Sequence, residues 1–94
     1  MQSPYKEIFI NKLEENSKVS ITGFIINKNK DGITIDDSTG TLSILIETNL
    51  ELNSFVRVFG LYINNNLQAH LIQDLSNVNK QIYNKVKSLL NQKQ

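Results

Sequence analysis

In 94 residues the chain has no cysteine, one proline, four glycines and one histidine, and each scarcity excludes something. Without cysteine there is no disulfide framework and no thiol chemistry, so the fold must rest on its apolar core alone. One histidine with no cysteine beside it cannot build a zinc site. Little glycine and proline, with 39% hydrophobic residues, sets the chain apart from disordered and fibrous sequences. Nowhere do about 18 apolar residues run together. The start, Met1 to Glu7, has no basic region followed by an apolar stretch, and the reading is a soluble, intracellular protein without membrane contact. Ten basic against nine acidic side chains leave a formal net charge of +1. The molecule as a whole therefore offers a polyanion no strong attraction, and any such contact must come from a local patch.

Catalytic constellations are missing as well. There is no nucleophile elbow, no phosphate-cradling glycine loop and no cluster of metal ligands. Asp36 and Asp37 are adjacent, which on a strand sends them to opposite faces and argues against a paired acid and base. A chain this short is one domain at most, burying roughly 60 to 65% of its unfolded surface. No enzymatic activity, cofactor or metal is expected.

What the chain does have is alternation. Val19, Ile21 and Ile25 alternate with Ser20 and Thr22, the period of a half-buried strand, and Gly23 stands where that strand must bend between sheets. Residues 27–32, ending in Asp31-Gly32, read as a turn to a second strand with Ile33 and Ile35 inward and Thr34 and Asp36 outward. A turn at 37–40 leads to a third strand with Leu42, Ile44 and Ile46 inward. After a polar connection over 47–53, a fourth strand places Val56 and Val58 on one face and Phe55, Arg57 and Phe59 on the other, with Gly60 at a bend. Asn64-Asn65-Asn66 is a hairpin turn by composition. The last strand, near Gln68 to Leu75, lacks clean alternation and is expected to carry a bulge.

The two ends differ from the middle. Tyr5, Ile8, Phe9 and Leu13 recur at spacings that suit a short amphipathic helix over residues 1–16, or an extended arm laid over the sheet. From 77 to 94, Val78, Ile82, Val86 and Leu89, widened by Tyr83 and Leu90, form an apolar helical stripe that Ser76 or Asn77 can cap. The fold class is thus mostly β: a five-stranded barrel over 17–76 with an N-terminal helix or arm and a C-terminal α-helix. Barrels of this kind commonly carry single-stranded nucleic acid or oligosaccharide.

The segments 19–25, 35–40 and 56–61, with the helix at 78–90, together resemble the oligonucleotide-binding (OB) domains of replication protein A. The likeness is to the central domain of its middle subunit, with the small subunit and the telomeric capping subunits as near relatives. That resemblance implies a non-enzymatic subunit acting in replication, recombination or repair. It would assemble with other OB-fold subunits through its C-terminal helix, with Val78, Ile82, Tyr83, Val86, Leu89 and Leu90 as the interface. It also implies single-stranded DNA across the second and third strands between two loops. The family stacks bases on aromatics near the end of the third strand and in the loop after the fourth. Here those positions are Leu45-Ile46-Glu47 and Asn64-Asn65-Asn66, so direct DNA contact is expected to be weak. The implied compartment is nuclear in a eukaryote and cytoplasmic in an archaeon.

The candidates for that contact are Lys28, Lys30, Thr34, Arg57, Phe59, Tyr62, Asn64, Asn65 and Asn66. Each has a plainer reading. Phe59, like Phe24, can be packed under a helix or at a barrel end. Arg57 projects outward between two inward valines and can pair with Asp36 or Glu47. Lys28 and Lys30 can be solvated loop residues, and the asparagines simply a turn. His70 reads as a satisfied strand residue. A protein-interaction adaptor that never touches nucleic acid is the rival reading, carried by the missing aromatics.

Overall fold

The computed structural model describes residues 4–76, and among these the alternating segments become strands. They are β1 (Lys6–Glu7), β2 (Ser17–Asn29), β3 (Gly32–Asp36), β4 (Thr41–Leu45), β5 (Phe55–Ile63) and β6 (Asn66–Asp74), with one 3-10 turn at Ile10–Lys12. β2 pairs antiparallel with both β3 and β5, β3 with β4, and β5 with β6, while β4 and β6 run parallel. The ring β2-β3-β4-β6-β5 closes on itself. This five-stranded closed barrel has the form of an OB-fold.

Alternation decides what fills it. Val19, Ile21, Ile25, Ile33, Ile35, Leu42, Ile44, Val56, Val58 and Leu67 are all buried in one cluster, and Ile46, Leu50 and Tyr62 pack against it. β2 serves two neighbours by changing partner at its middle: residues 17–24 face β5 and residues 24–29 face β3. Gly23 marks that change, because a Cβ there would stand 2.5 Å from the Asp36 carbonyl oxygen. A bulge follows at Ile26, between the paired Ile25 and Asn27. The bulge expected in the last strand falls at His70, where Phe59 faces Leu71 but Gly60 faces Ala69.

The turns depart from expectation in detail. The segment read as a turn at 27–32 is mostly strand. Lys28 and Asn29 extend β2, only Lys30 and Asp31 turn, and the Asn29 Oδ1 accepts the amides of Asp31 and Gly32, both at 2.9 Å. Asn64 and Asn65 turn with φ of 54° and 65°, the positive values a tight hairpin needs, while Asn66 already belongs to β6. Asn16, Ser38 and Asn53 also take positive φ. Four of these five left-handed positions are asparagine, the residue whose short polar side chain best tolerates that region after glycine.

The N-terminal segment is the extended arm; no α-helix occurs among the described residues. Apart from the 3-10 turn, which the Lys12 and Leu13 amides close on the Phe9 and Ile10 carbonyls, its backbone donors are drawn to the barrel. The Ile8 amide donates to the Ser20 carbonyl at 3.2 Å and the Ile10 amide to the Asp37 carboxylate at 2.7 Å. With the Ile8 and Ile10 donors taken by the barrel and Ile8 buried in the core cluster, helical bonding in the segment stops at that single turn. The expected C-terminal helix and its stripe, Val78, Ile82, Tyr83, Val86, Leu89 and Leu90, lie outside the described residues.

Candidate nucleic-acid interface

The β2–β3 hairpin divides the candidates between two hollows. On one side lies a hollow of about 490 Å³ lined by Lys28, Lys30 and Ile33 of the hairpin and by Ile46, Glu47 and Asn49 of the following connection. On the other lies a shallower hollow of about 240 Å³ lined by Thr34, Ser43, Leu45, Asp31 and Asn66. Asn29, Gly32 and Ile33 form the wall between them. The register explains the second hollow. Thr34 faces Ser43 across β3–β4, and Ser43 faces Asn66 across β4–β6, so three short polar side chains line up on one outer wall.

Asn64 and Asn65 stand exposed at the β5–β6 turn beside that row, and the Asn66 Nδ2 donates to the Asn64 carbonyl at 3.3 Å. The Asn64 amide donates to the Glu15 carboxylate, which fixes the turn against the loop before β2. Tyr62 is half-buried on the core, with its Oη 3.5 Å from the Asn65 Oδ1. Lys28, Lys30, Thr34 and Asn64 to Asn66 are therefore brought to one end and one wall. Among the described residues no aromatic ring lines either hollow.

Arg57 and Phe59 are not among them. They lie on the outer wall where β5 meets β2, opposite Thr22 and Ser20, and the N-terminal arm crosses this wall. The Tyr5 ring packs edge-on against Phe59 with centroids 5.4 Å apart, and the Tyr5 Oη is 2.8 Å from the His70 Nδ1. Arg57 meets Glu7 here, with Nε 3.8 Å from a carboxylate oxygen. That same carboxylate accepts the hydroxyls of Ser20 and Thr22, the latter at 3.0 Å.

Ser20 and Thr22, outward by period, are consequently buried beneath the arm. Glu7 is the residue the sequence reading missed. Its only signal was an isolated acid in an otherwise apolar-spaced segment, and the partners sit thirteen or more residues away.

The two aspartates diverge as expected. Asp36 Oδ1 accepts the Ser38 amide at 2.7 Å on the outside. Asp37 is buried and accepts the amides of Ile10 and Thr39 and the Thr39 hydroxyl. Both are structural acceptors. No group of three or more potential metal ligands occurs among the described residues.

Charge is unevenly shared along the chain. Residues 1–76 carry six basic and nine acidic side chains, whereas residues 77–94 carry Lys80, Lys85, Lys87 and Lys93 and no acid. The two lysines of the hairpin share their hollow with Glu47.

No family model matches the sequence, and no curated protein matches it. Solved structures do. The telomere capping protein Ten1 of S. pombe is similar with a TM-score of 0.79 at 15% identity, covering 94% of this chain and 98% of that one. A chain of the S. pombe Stn1–Ten1 complex gives a TM-score of 0.81 at 15% identity, covering 98% and 96%. A chain of U. maydis replication protein A bound to single-stranded DNA gives 0.75 at 19% identity, covering 95% and 91%. The likeness is one of fold, and it runs nearly end to end in all three.

Proposed function

We propose that the chain is an OB-fold subunit of a single-stranded-DNA-binding assembly of the replication protein A or telomere-capping kind. The reading rests on the end-to-end match in fold with proteins described as a telomere capping protein and as replication protein A bound to single-stranded DNA. On this reading the polar row Thr34, Ser43 and Asn66, with Lys28 and Lys30 at the hairpin and Asn64 and Asn65 at the turn, touches the strand weakly. Partner OB-fold subunits, recruited through the stripe from Val78 to Leu90, supply the stacking rings. The adaptor reading draws on the excess of acid in residues 1–76 and on the absence of aromatic rings among the described residues that line the two hollows.

Fluorescence anisotropy with labelled single-stranded and duplex oligonucleotides separates the two. Two lysine contacts give a log–log salt slope of only about −1.4 on single strands. Lys28→Ala or Lys30→Ala should each flatten that slope by about 0.7. Arg57→Met, on the arm-covered wall, should leave DNA binding unchanged and cost less than about 1 kcal/mol in urea unfolding, because its ion pair is partly solvated. Absence of binding by the folded chain and by its assembled complex would favour the adaptor. Leu89→Glu should release the partner subunits in size-exclusion chromatography with the barrel's circular dichroism intact.

A further inference from the structure

A third hollow, of about 350 Å³, lies on the outer wall away from the candidate interface. It is lined by Thr22, Gly23, Phe24 and Ile26 of β2, Asp36 of β3, Asp37 and Ser38 of the turn, and Phe55 of β5. Its apolar content comes from one row. Phe24 faces Asp36 on one side and Phe55 on the other, and the two rings lie 4.9 Å apart. Phe55 stands outside the core cluster of the barrel, yet it is 1% exposed. Ile26, pushed out at its bulge, is 46% exposed.

Where the chain leaves the barrel fixes what is near this row. The Leu75 amide donates to the Phe55 carbonyl at 2.8 Å, so residue 76 ends beside Phe55 and eighteen residues follow. We propose that this groove is the seat of the chain's own C-terminal segment, which lays the first part of its apolar stripe across Phe55 and Phe24. The proposal rests on the helical reading of 77–94 and divides its stripe in two.

Length sets the division. From Leu75 through Phe55 and Phe24 to Asp36 the row crosses three strand spacings, about 14 Å. A helix over 77–90 is about 21 Å long. Val78, Ile82 and Val86 fall within the row, and Leu89 and Leu90 extend past the β3 edge, where a partner subunit can reach them. Charge agrees with this course. The segment has four lysines and no acid, and the row has a carboxylate at its far edge, that of Asp36. A stripe half-covered by its own barrel also stays folded before the partners arrive, which so short a helix would not do alone.

The test uses the wild-type chain. Nuclear Overhauser contacts are sought between the rings of Phe24 and Phe55 and the methyl groups of Val78, Ile82 and Val86. A second sample mixes isotope-labelled with unlabelled protein to separate contacts within a chain from contacts between chains. Contacts seen within the chain, with none from Leu89 or Leu90 to these rings, are the expected result. Contacts found solely between chains would make the groove a self-association site and overturn the proposal, and so would none at all. Neither failure bears on the DNA titration, which depends on the opposite end of the barrel.

Discussion

Asp37→Ala is expected to lower the unfolding free energy by about 3 kcal/mol and the melting midpoint by roughly 15 °C. The carboxylate is 7% exposed and accepts three donors, the Ile10 amide at 2.7 Å, the Thr39 amide at 2.9 Å and the Thr39 hydroxyl at 2.6 Å. The Thr39 Oγ1 in turn accepts the Asn11 amide at 3.2 Å, so one side chain ties the 3-10 turn of the arm to the β3–β4 turn. Removing it strips those donors of a charged acceptor at a site where water enters poorly, and hydrogen bonds to charged groups are worth about 1.5 to 3 kcal/mol each. The three do not add in full, because the arm can shift and find solvent. Asp37→Asn keeps one oxygen but turns an NH₂ group toward a donor, and should lose about half as much. Urea unfolding followed by circular dichroism measures both. A loss under about 1 kcal/mol for the alanine variant would mean that the arm is held by Tyr5, Glu7 and Ile8 without help from Asp37.

The barrel was legible because a period of two leaves little freedom. Once Val19, Ile21 and Ile25 face inward, closure requires Ile33, Ile35, Leu42, Ile44, Val56 and Val58 to face them, and all are buried together. The asparagine excess was legible at Asn64 and Asn65 because the turn is local. At Asn16 and Asn53 it was not, since what demands positive φ there is how the chain enters and leaves strands far apart in sequence. The Asn16 amide donates to the Tyr62 carbonyl, and the Asn53 amide to that of Ile25.

The arm was ambiguous for a related reason. Spacings of three to five among Tyr5, Ile8, Phe9 and Leu13 fit a helix as well as a strap, and the choice was made by Ser20 and Asp37, whose acceptors a local pattern does not reveal. The candidate interface shows the same limit. That Arg57 points outward follows from its neighbours. Which wall it points from, and that Glu7 meets it there, follows from the register of β2 on β5.

Glu7→Ala is expected to cost about 2 kcal/mol, and what it costs should come from hydroxyls and not from the ion pair. Ser20 is 3% exposed and Thr22 1%, and both donate to this carboxylate. A buried donor deprived of its acceptor loses about 1 to 3 kcal/mol. The Arg57 contact is long at 3.8 Å and its two side chains are about one-quarter exposed, so it contributes under about 1 kcal/mol. Two double-mutant cycles separate these terms. Glu7→Gln with Arg57→Met should show a coupling below about 0.5 kcal/mol, whereas Glu7→Ala with Ser20→Ala should show about 1 kcal/mol. Replacing donors and acceptor together by apolar groups of similar shape, as in Glu7→Leu with Ser20→Ala and Thr22→Val, should recover most of the loss, since no buried polar group is then left without a partner. If the triple variant were as unstable as Glu7→Ala, the arm would owe its place to the charge on Arg57 after all, and the wall beneath it would be held by electrostatics that salt could loosen.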